Sequence, residues 1–491
     1  MHQESAAPAP KASLARRLAR FTRKAVEWAV GIFITIYMVR AFDSLRMPDL
    51  ELWHSVSLDD FRAGEVVAGT TFDDYLAREA GVFDQMDREV YSAVEPSEEL
   101  SYSRYNPGGV SDPRGFERNW NRTFELEPAE TPRGAALLVH GLTDSPYSLR
   151  RVGEILHERG FYVLGLRLPG HGTTPGSLAE VSWRDWRAAV RLAAKHVSER
   201  KGGGEFVIVG YSCGGALVID YAVDAIEDGL PRADRLILFS PAIGITALAR
   251  MASMHRFVSW IPLFEKFRWS GIEPEYDPFK YNSFPKNGGE QMRDLSLTVQ
   301  DHLRSFEAGG RRSELPPMLA FQSLIDATVL TSAVVDELCS RLTPGSELVL
   351  FDTNRKAKLR QYVRDEGRDV LERLERDEDR VYQLTLVANV DETPTVELVT
   401  YEPGSSEPIL NNTAMSWPPG VYSLSHVAIP IPPNDPIYGA GDGKNMGMGP
   451  LSIGSMQPRG ERGLLRVSVA QLMRLRYNPF FDVIEDRLRG L

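Results

Sequence analysis

Gly210-Tyr211-Ser212-Cys213-Gly214 is the stretch of this chain whose residue types and spacing most directly suggest chemistry. Glycines two before and two after a serine permit a turn so tight that strand and helix pass without a Cβ clash. The apolar run Phe206-Val207-Ile208-Val209 precedes the turn, and Ala216-Leu217-Val218-Ile219 with Tyr221-Ala222-Val223 continues it at helical spacing. A serine on such a corner stands above the sheet at the positive end of the helix, where a nucleophile for acyl transfer belongs. The same pattern also suits a glycine-rich turn that packs, or one that binds a phosphate. A hydroxyl becomes a good nucleophile only when a neutral imidazole takes its proton and a carboxylate holds that imidazole in one tautomer. The oxyanion that follows needs preset N–H donors.

The elements that must position such groups begin at Gly134. Ala135 to Val139 reads as a strand ending in His140-Gly141-Leu142-Thr143-Asp144, followed by a helix through His157 that Gly160 closes. Phe161 to Leu166 is the next strand and runs into Leu168-Pro169-Gly170-His171-Gly172. Trp183 to Arg200 is a helix, the serine's strand follows, and Arg235 to Phe239 is another strand. This alternation predicts an α/β fold with a doubly wound, mostly parallel sheet. Ligand sites of such sheets lie at the carboxyl ends of the strands, where His140-Gly141, Ser212 and Ser240 fall.

Taken in order, the His-Gly-Leu-Thr, Leu-Pro-Gly-His-Gly and Gly-Tyr-Ser-Cys-Gly-Gly motifs resemble the α/β-hydrolase superfamily. Within it they are most similar to bacterial carboxylesterases and to monoacylglycerol-lipase or lysophospholipase-like enzymes. The resemblance covers residues 119–352 and a short stretch near His426. It implies a chain order of nucleophile, acid and histidine, with Ser212 as nucleophile. The strand Pro317 to Gln322 is followed by Ser323-Leu324-Ile325-Asp326, which puts Asp326 at the acid position. His255, His302 and His426 follow Ser212, and of these His426 alone lies beyond Asp326, in a Ser-Leu-Ser-His-Val loop similar to the family's. Asp326 also reads as a cap of the helix Thr331 to Leu342, and His426 as a histidine of a surface loop. The oxyanion donors implied are the N–H groups of Leu142 and Cys213, with His140 and His171 shaping their loops.

The activity implied is cleavage of carboxylic esters through an acyl-enzyme intermediate, on a small-molecule acyl ester or lipid, with no cofactor. A thioesterase or acyltransferase on the same triad, or a non-catalytic binding module of the same fold, are the alternatives. The sequence has no metal-ligand spacing and no dinucleotide fingerprint, and a net charge of −11 argues against nucleic acid as partner.

Around this centre the chain divides further. Residues 1–24 are basic, and residues 25–42 read as a transmembrane anchor whose flank predicts a cytoplasmic N-terminus. The catalytic domain is then expected on the opposite, periplasmic or extracytoplasmic, side of a membrane. A signal peptide cut after Val39-Arg40-Ala41, or a helix lying on the membrane surface, are the rival readings. Residues 43–118 form an extension and 119–491 the catalytic domain, with 353–425 inserted before the histidine. Residues 241–316 sit where this superfamily inserts a lid, and Trp260 and Phe264 are the candidate contacts for an acyl chain. Ordinary packing on the core explains those aromatics as well.

Overall fold

The computed structural model describes residues 12–244, 262–356, 367–390, 393–441, 453–454 and 469–491. It divides into one unit of residues 1–49 with 255–268, and another of residues 50–254 with 269–491. In the first unit α1 (Ala12–Arg46) is one helix of 35 residues, and Lys266 pairs with Asp49 at 2.7 Å. The transmembrane expectation is overturned here, because no helix among the described residues is long and apolar enough to cross a membrane. The apolar run Ala25 to Val39 contains Glu27 and stops at Arg40. At about 1.5 Å per residue it falls short of a hydrocarbon core about 30 Å thick. The single-pass topology, with the catalytic domain across a membrane from the N-terminus, falls with it.

The second unit is built on one sheet of ten strands: β1 (Phe124–Leu126), β2 (Gly134–Val139), β3 (Phe161–Leu166), β4 (Glu205–Tyr211), β5 (Arg235–Phe239), β6 (Met318–Ser323), β7 (Glu347–Phe351), β8 (Gln383–Asn389), β9 (Thr395–Tyr401) and β10 (Ile409–Ser416). Their spatial order is β1-β3-β2-β4-β5-β6-β7-β8-β9-β10. Every pair from β3 through β8 is parallel, whereas β1 and the β8–β9–β10 meander pair antiparallel. The chain steps from β2 out to β3 and returns to lay β4 on the other side of β2, so the order reverses at β2. The crevice at such a reversal is where a doubly wound sheet binds ligands. The proline- and asparagine-rich stretch before Pro419 contains β10, whose Ile409 and Leu410 are exposed.

Strand periodicity splits the core in two. In β4, Phe206 and Ile208 face one cluster while Val207 and Val209 face the other. The first cluster takes α4 (Trp183–Ser198) and α5 (Cys213–Glu227), the second α3 (Arg150–Glu158) and α7 (Phe481–Gly490). Each fully buried Val, Leu or Phe contributes about 1.5–3 kcal/mol. Of the segment between β5 and β6, residues 245–261 lie outside the described residues. Its later part, α6 (Lys286–Ala308), is a core helix: Leu295, Val299 and Leu303 are buried in the first cluster.

The extension is integral to this unit. Asp60 takes both terminal nitrogens of the fully buried Arg167 at 2.8 and 2.9 Å, and Glu79, on α2 (Phe72–Met86), approaches its Nε at 3.2 Å. Asp60 also accepts the N–H of Gly170 at 2.8 Å, and Tyr105 donates to the carbonyl of Thr173 at 2.8 Å. The loop after β3 is thereby held from outside.

Candidate functional site

β4 delivers Ser212 at φ 52° and ψ −111°, a backbone conformation that few residues other than glycine adopt. Thr143, Ser212 and Ser240 are the non-glycine residues with positive φ among those described, and they follow β2, β4 and β5 at the carboxyl edge of the sheet. The two glycines of the turn have steric reasons. A Cβ on Gly210 would lie 2.6 Å from the carbonyl oxygen of Gly214, and one on Gly214 only 2.0 Å from that of Val139. The Ser212 N–H donates to Phe239 at 2.9 Å and its carbonyl accepts from Ala242 at 3.0 Å, so neighbouring β5 fixes the turn. Cys213 opens α5, which leaves its N–H among those a helix cannot bond internally. Burial pushes the Cys213 thiol well up, so it offers no thiolate beside the serine.

Asp326 and His426 meet at the same edge. Nδ1 of His426 lies 3.4 Å from Oδ1 of Asp326, and both side chains are nearly buried. The same Oδ1 accepts the N–H groups of Thr328 at 2.8 Å and Val329 at 3.0 Å. Burial alone would push this carboxyl up, yet the charge of His426 and those donors hold it below the usual carboxylate range. The histidine loop is anchored by Leu424 and Ile429 in the second core cluster. The Ser323 hydroxyl, at the end of β6, donates to the Leu424 carbonyl at 2.9 Å and so ties the two loops together. The ring of His426 lies 6.4 Å, centre to centre, from that of Tyr211, the residue before Ser212. Two other carboxylates of this half are engaged elsewhere: Asp352 with Arg355 at 2.6 Å, and Asp336 with Arg373 at 2.7 Å.

Leu142 lies in the turn after β2, half-buried against the first cluster. Its loop is set by His140, whose Nδ1 bonds the Gly141 carbonyl at 2.8 Å and whose Nε2 accepts the Leu168 N–H at 3.1 Å. Those partners fix one neutral tautomer. Burial, and then the neighbouring His171, hold the His140 pKa far below that of free histidine. His171 is pushed down to about 4, chiefly by burial. Neither ring serves as a base near neutral pH.

Of the acyl-chain candidates, Trp260 lies outside the described residues, and Phe264 falls in the short helix Pro262–Arg268. The motifs did not single out Lys280 and Arg474, which line a cleft of about 80 Å³ together with Asp144, Tyr211 and Val427. Asp144 ends a motif, but Lys280 and Arg474 stand in segments without one. Asp220, Asp224 and His302 also approach one another. Arg187 reaches both carboxylates and Arg191 reaches Asp224, so the charge there is already neutralised.

Residues 130–278 match the family model described as serine aminopeptidase, S33. The chain is 33% identical over 91 residues to the thermostable monoacylglycerol lipase of Bacillus sp. (strain H-257), covering 18% of this chain and 36% of that protein. It thus spans about a third of the curated relative it matches. Among solved structures, one of the metagenome-derived lipolytic enzymes LipS and LipT is 21% identical, with TM-score 0.38, covering 52% of this chain and 96% of its own. The monoacylglycerol lipase of Paleococcus ferrophilus is 18% identical, with TM-score 0.35, covering 51% and 97%.

Proposed function

Starting from an α/β hydrolase of the lipase and esterase type, we propose that this chain hydrolyses carboxylic esters through Ser212, His426 and Asp326. His426 takes the proton of Ser212 as the hydroxyl attacks the ester carbonyl, and Asp326 keeps the imidazole in the tautomer that can accept it. The N–H groups of Leu142 and Cys213 receive the oxyanion. His426 then protonates the leaving alcohol, leaving an acyl group on Ser212. Water, deprotonated by the same imidazole, releases the acid and restores the serine.

The observation that supports this reading is a histidine–carboxylate pair 3.4 Å apart whose imidazole lies 6.4 Å from the ring of Tyr211, the residue before the strained Ser212. The test is turnover of p-nitrophenyl esters from acetate to octanoate by the full chain and by Ser212→Ala. The wild type should turn these esters over, and Ser212→Ala should lose about 10⁶-fold in kcat. Equal rates in the two proteins would overturn the proposal.

A further inference from the structure

The cleft beside the serine carries more positive charge than its own carboxylates balance. Tyr211 and Val427, neighbours in sequence of Ser212 and His426, form part of its wall. Lys280, Arg474 and Arg476 line it as well. Lys280 is paired with Asp144 at 3.3 Å. Arg476 lies 3.9 Å from Asp277 and donates to the Tyr276 hydroxyl at 3.1 Å, and Asp277 accepts a further bond from Tyr438. Arg474 reaches the Thr328 hydroxyl at 3.5 Å, a neutral and marginal partner. Two cations are thus met by two carboxylates, and the third faces none among the described residues. The chain as a whole has a net charge of −11, so a cationic surplus here does not reflect its background composition.

The placement of this surplus ties it to the reaction. The residue that Arg474 touches, Thr328, donates its N–H to Asp326. The guanidinium therefore stands beside the loop that presents the carboxylate to His426. A volume of about 80 Å³ holds several waters, or one carboxylate or phosphate group in their place. The planar fork of an arginine matches both of those groups through paired N–H···O bonds.

We infer that the cleft selects esters bearing a negative charge close to the scissile bond, and that Arg474 is the residue that reads it. This rests on the proposed hydrolase reading and narrows its substrate class. The charge is a carboxylate on the acyl side or a phosphate on the alcohol side. In either case Arg474 binds it while Ser212 attacks the neighbouring carbonyl, and no bond to the anionic group is made or broken.

The experiment compares matched pairs on the full chain. p-Nitrophenyl butyrate is set against p-nitrophenyl hemisuccinate, and monolauroylglycerol against lauroyl lysophosphatidate. In at least one pair the anionic ester should have the higher kcat/KM, and raising the ionic strength should shrink that preference. Arg474→Gln should lower the anionic-to-neutral ratio at least about tenfold, with Arg474→Lys in between. Which pair responds tells carboxylate from phosphate. Turnover of all four esters with a ratio that Arg474→Gln does not move would overturn the inference and leave the hydrolase reading standing. No turnover of any ester, by a protein whose Ser212 takes no fluorophosphonate, would overturn both.

Discussion

One oxygen of Asp326 carries three relationships: it lies 3.4 Å from Nδ1 of His426 while accepting the N–H groups of Thr328 and Val329. The backbone donors hold the carboxylate oxygen that faces the imidazole. Its other oxygen is buried without a hydrogen-bond partner among the described residues. Replacing the acid by an amide preserves the shape but removes the charge, and it allows the imidazole to rest in the wrong tautomer. Asp326→Asn is therefore expected to lose about 10⁴-fold in kcat while circular dichroism and melting stay close to wild type. Asp352→Asn and Asp336→Asn should retain the rate, since Arg355 and Arg373 hold those carboxylates elsewhere. A large loss from either would move the acid to another loop.

Steric closeness at the serine's turn makes a second prediction. In Gly214→Ala the new Cβ meets the backbone oxygen of Val139, which β2 cannot move aside. A destabilisation of about 1–3 kcal/mol or more is expected in urea unfolding, together with loss of esterase activity. Gly203→Ala is the control, because nothing lies within 4 Å of its Cβ. There the stability should stay the same or rise by up to about 1 kcal/mol.

The extension should prove inseparable from the catalytic unit. Asp60→Ala leaves the fully buried Arg167 with the Glu79 carboxylate and the neutral His171 carbonyl, and removing one partner of a buried pair costs about 3–5 kcal/mol. Differential scanning calorimetry should then show one cooperative transition at a lower temperature. A melting temperature equal to wild type would mean that the pair adds nothing to the fold.

Acid should weaken the protein already between pH 6.5 and 4. Burial pushes both His54 and His171 down to about 4, and His140 well below the ordinary 6.5. The unfolded chain therefore binds these protons first as pH falls from 6.5 toward 4, and stability drops over that window. Each fully responding histidine contributes about 1.4 kcal/mol per pH unit. Glu275 works in the opposite sense: burial raises its carboxyl to about 7, so the folded state takes up that proton earlier than the unfolded chain. Stability from urea titrations should fall between pH 6.5 and 4, and Glu275→Gln should steepen the fall. A flat profile would contradict the neutral, buried histidines.

Much of the architecture is legible in the sequence because βαβ units announce themselves locally. The apolar runs of β2 to β5 and the glycine-bounded turns after them lie where their pattern puts them. The proximity of Asp326 and His426 is legible only through chain order, since four of the sheet's ten strands lie between them in sequence. What the sequence hides is long-range. Nothing local in Asp60 or Glu79 points to Arg167, and nothing local in Arg474 points to Tyr211. The apolar run of α1 illustrates the opposite error: hydropathy with basic flanks suggested a membrane span, although its length and its interruption by Glu27 and Arg40 do not support one. β10 is not legible locally, because Ile409-Leu410-Asn411-Asn412 has turn-like composition and only the pairing with β9 makes it a strand.

The central claim is that Ser212 is the nucleophile, and a covalent trap tests it most directly. The full chain would be treated with a fluorophosphonate, digested, and its labelled peptide sequenced by mass spectrometry. The account predicts a single phosphonyl adduct on Ser212, absent from Ser212→Ala and formed far more slowly by His426→Ala. An adduct on another residue, or equal labelling of Ser212→Ala, would contradict it.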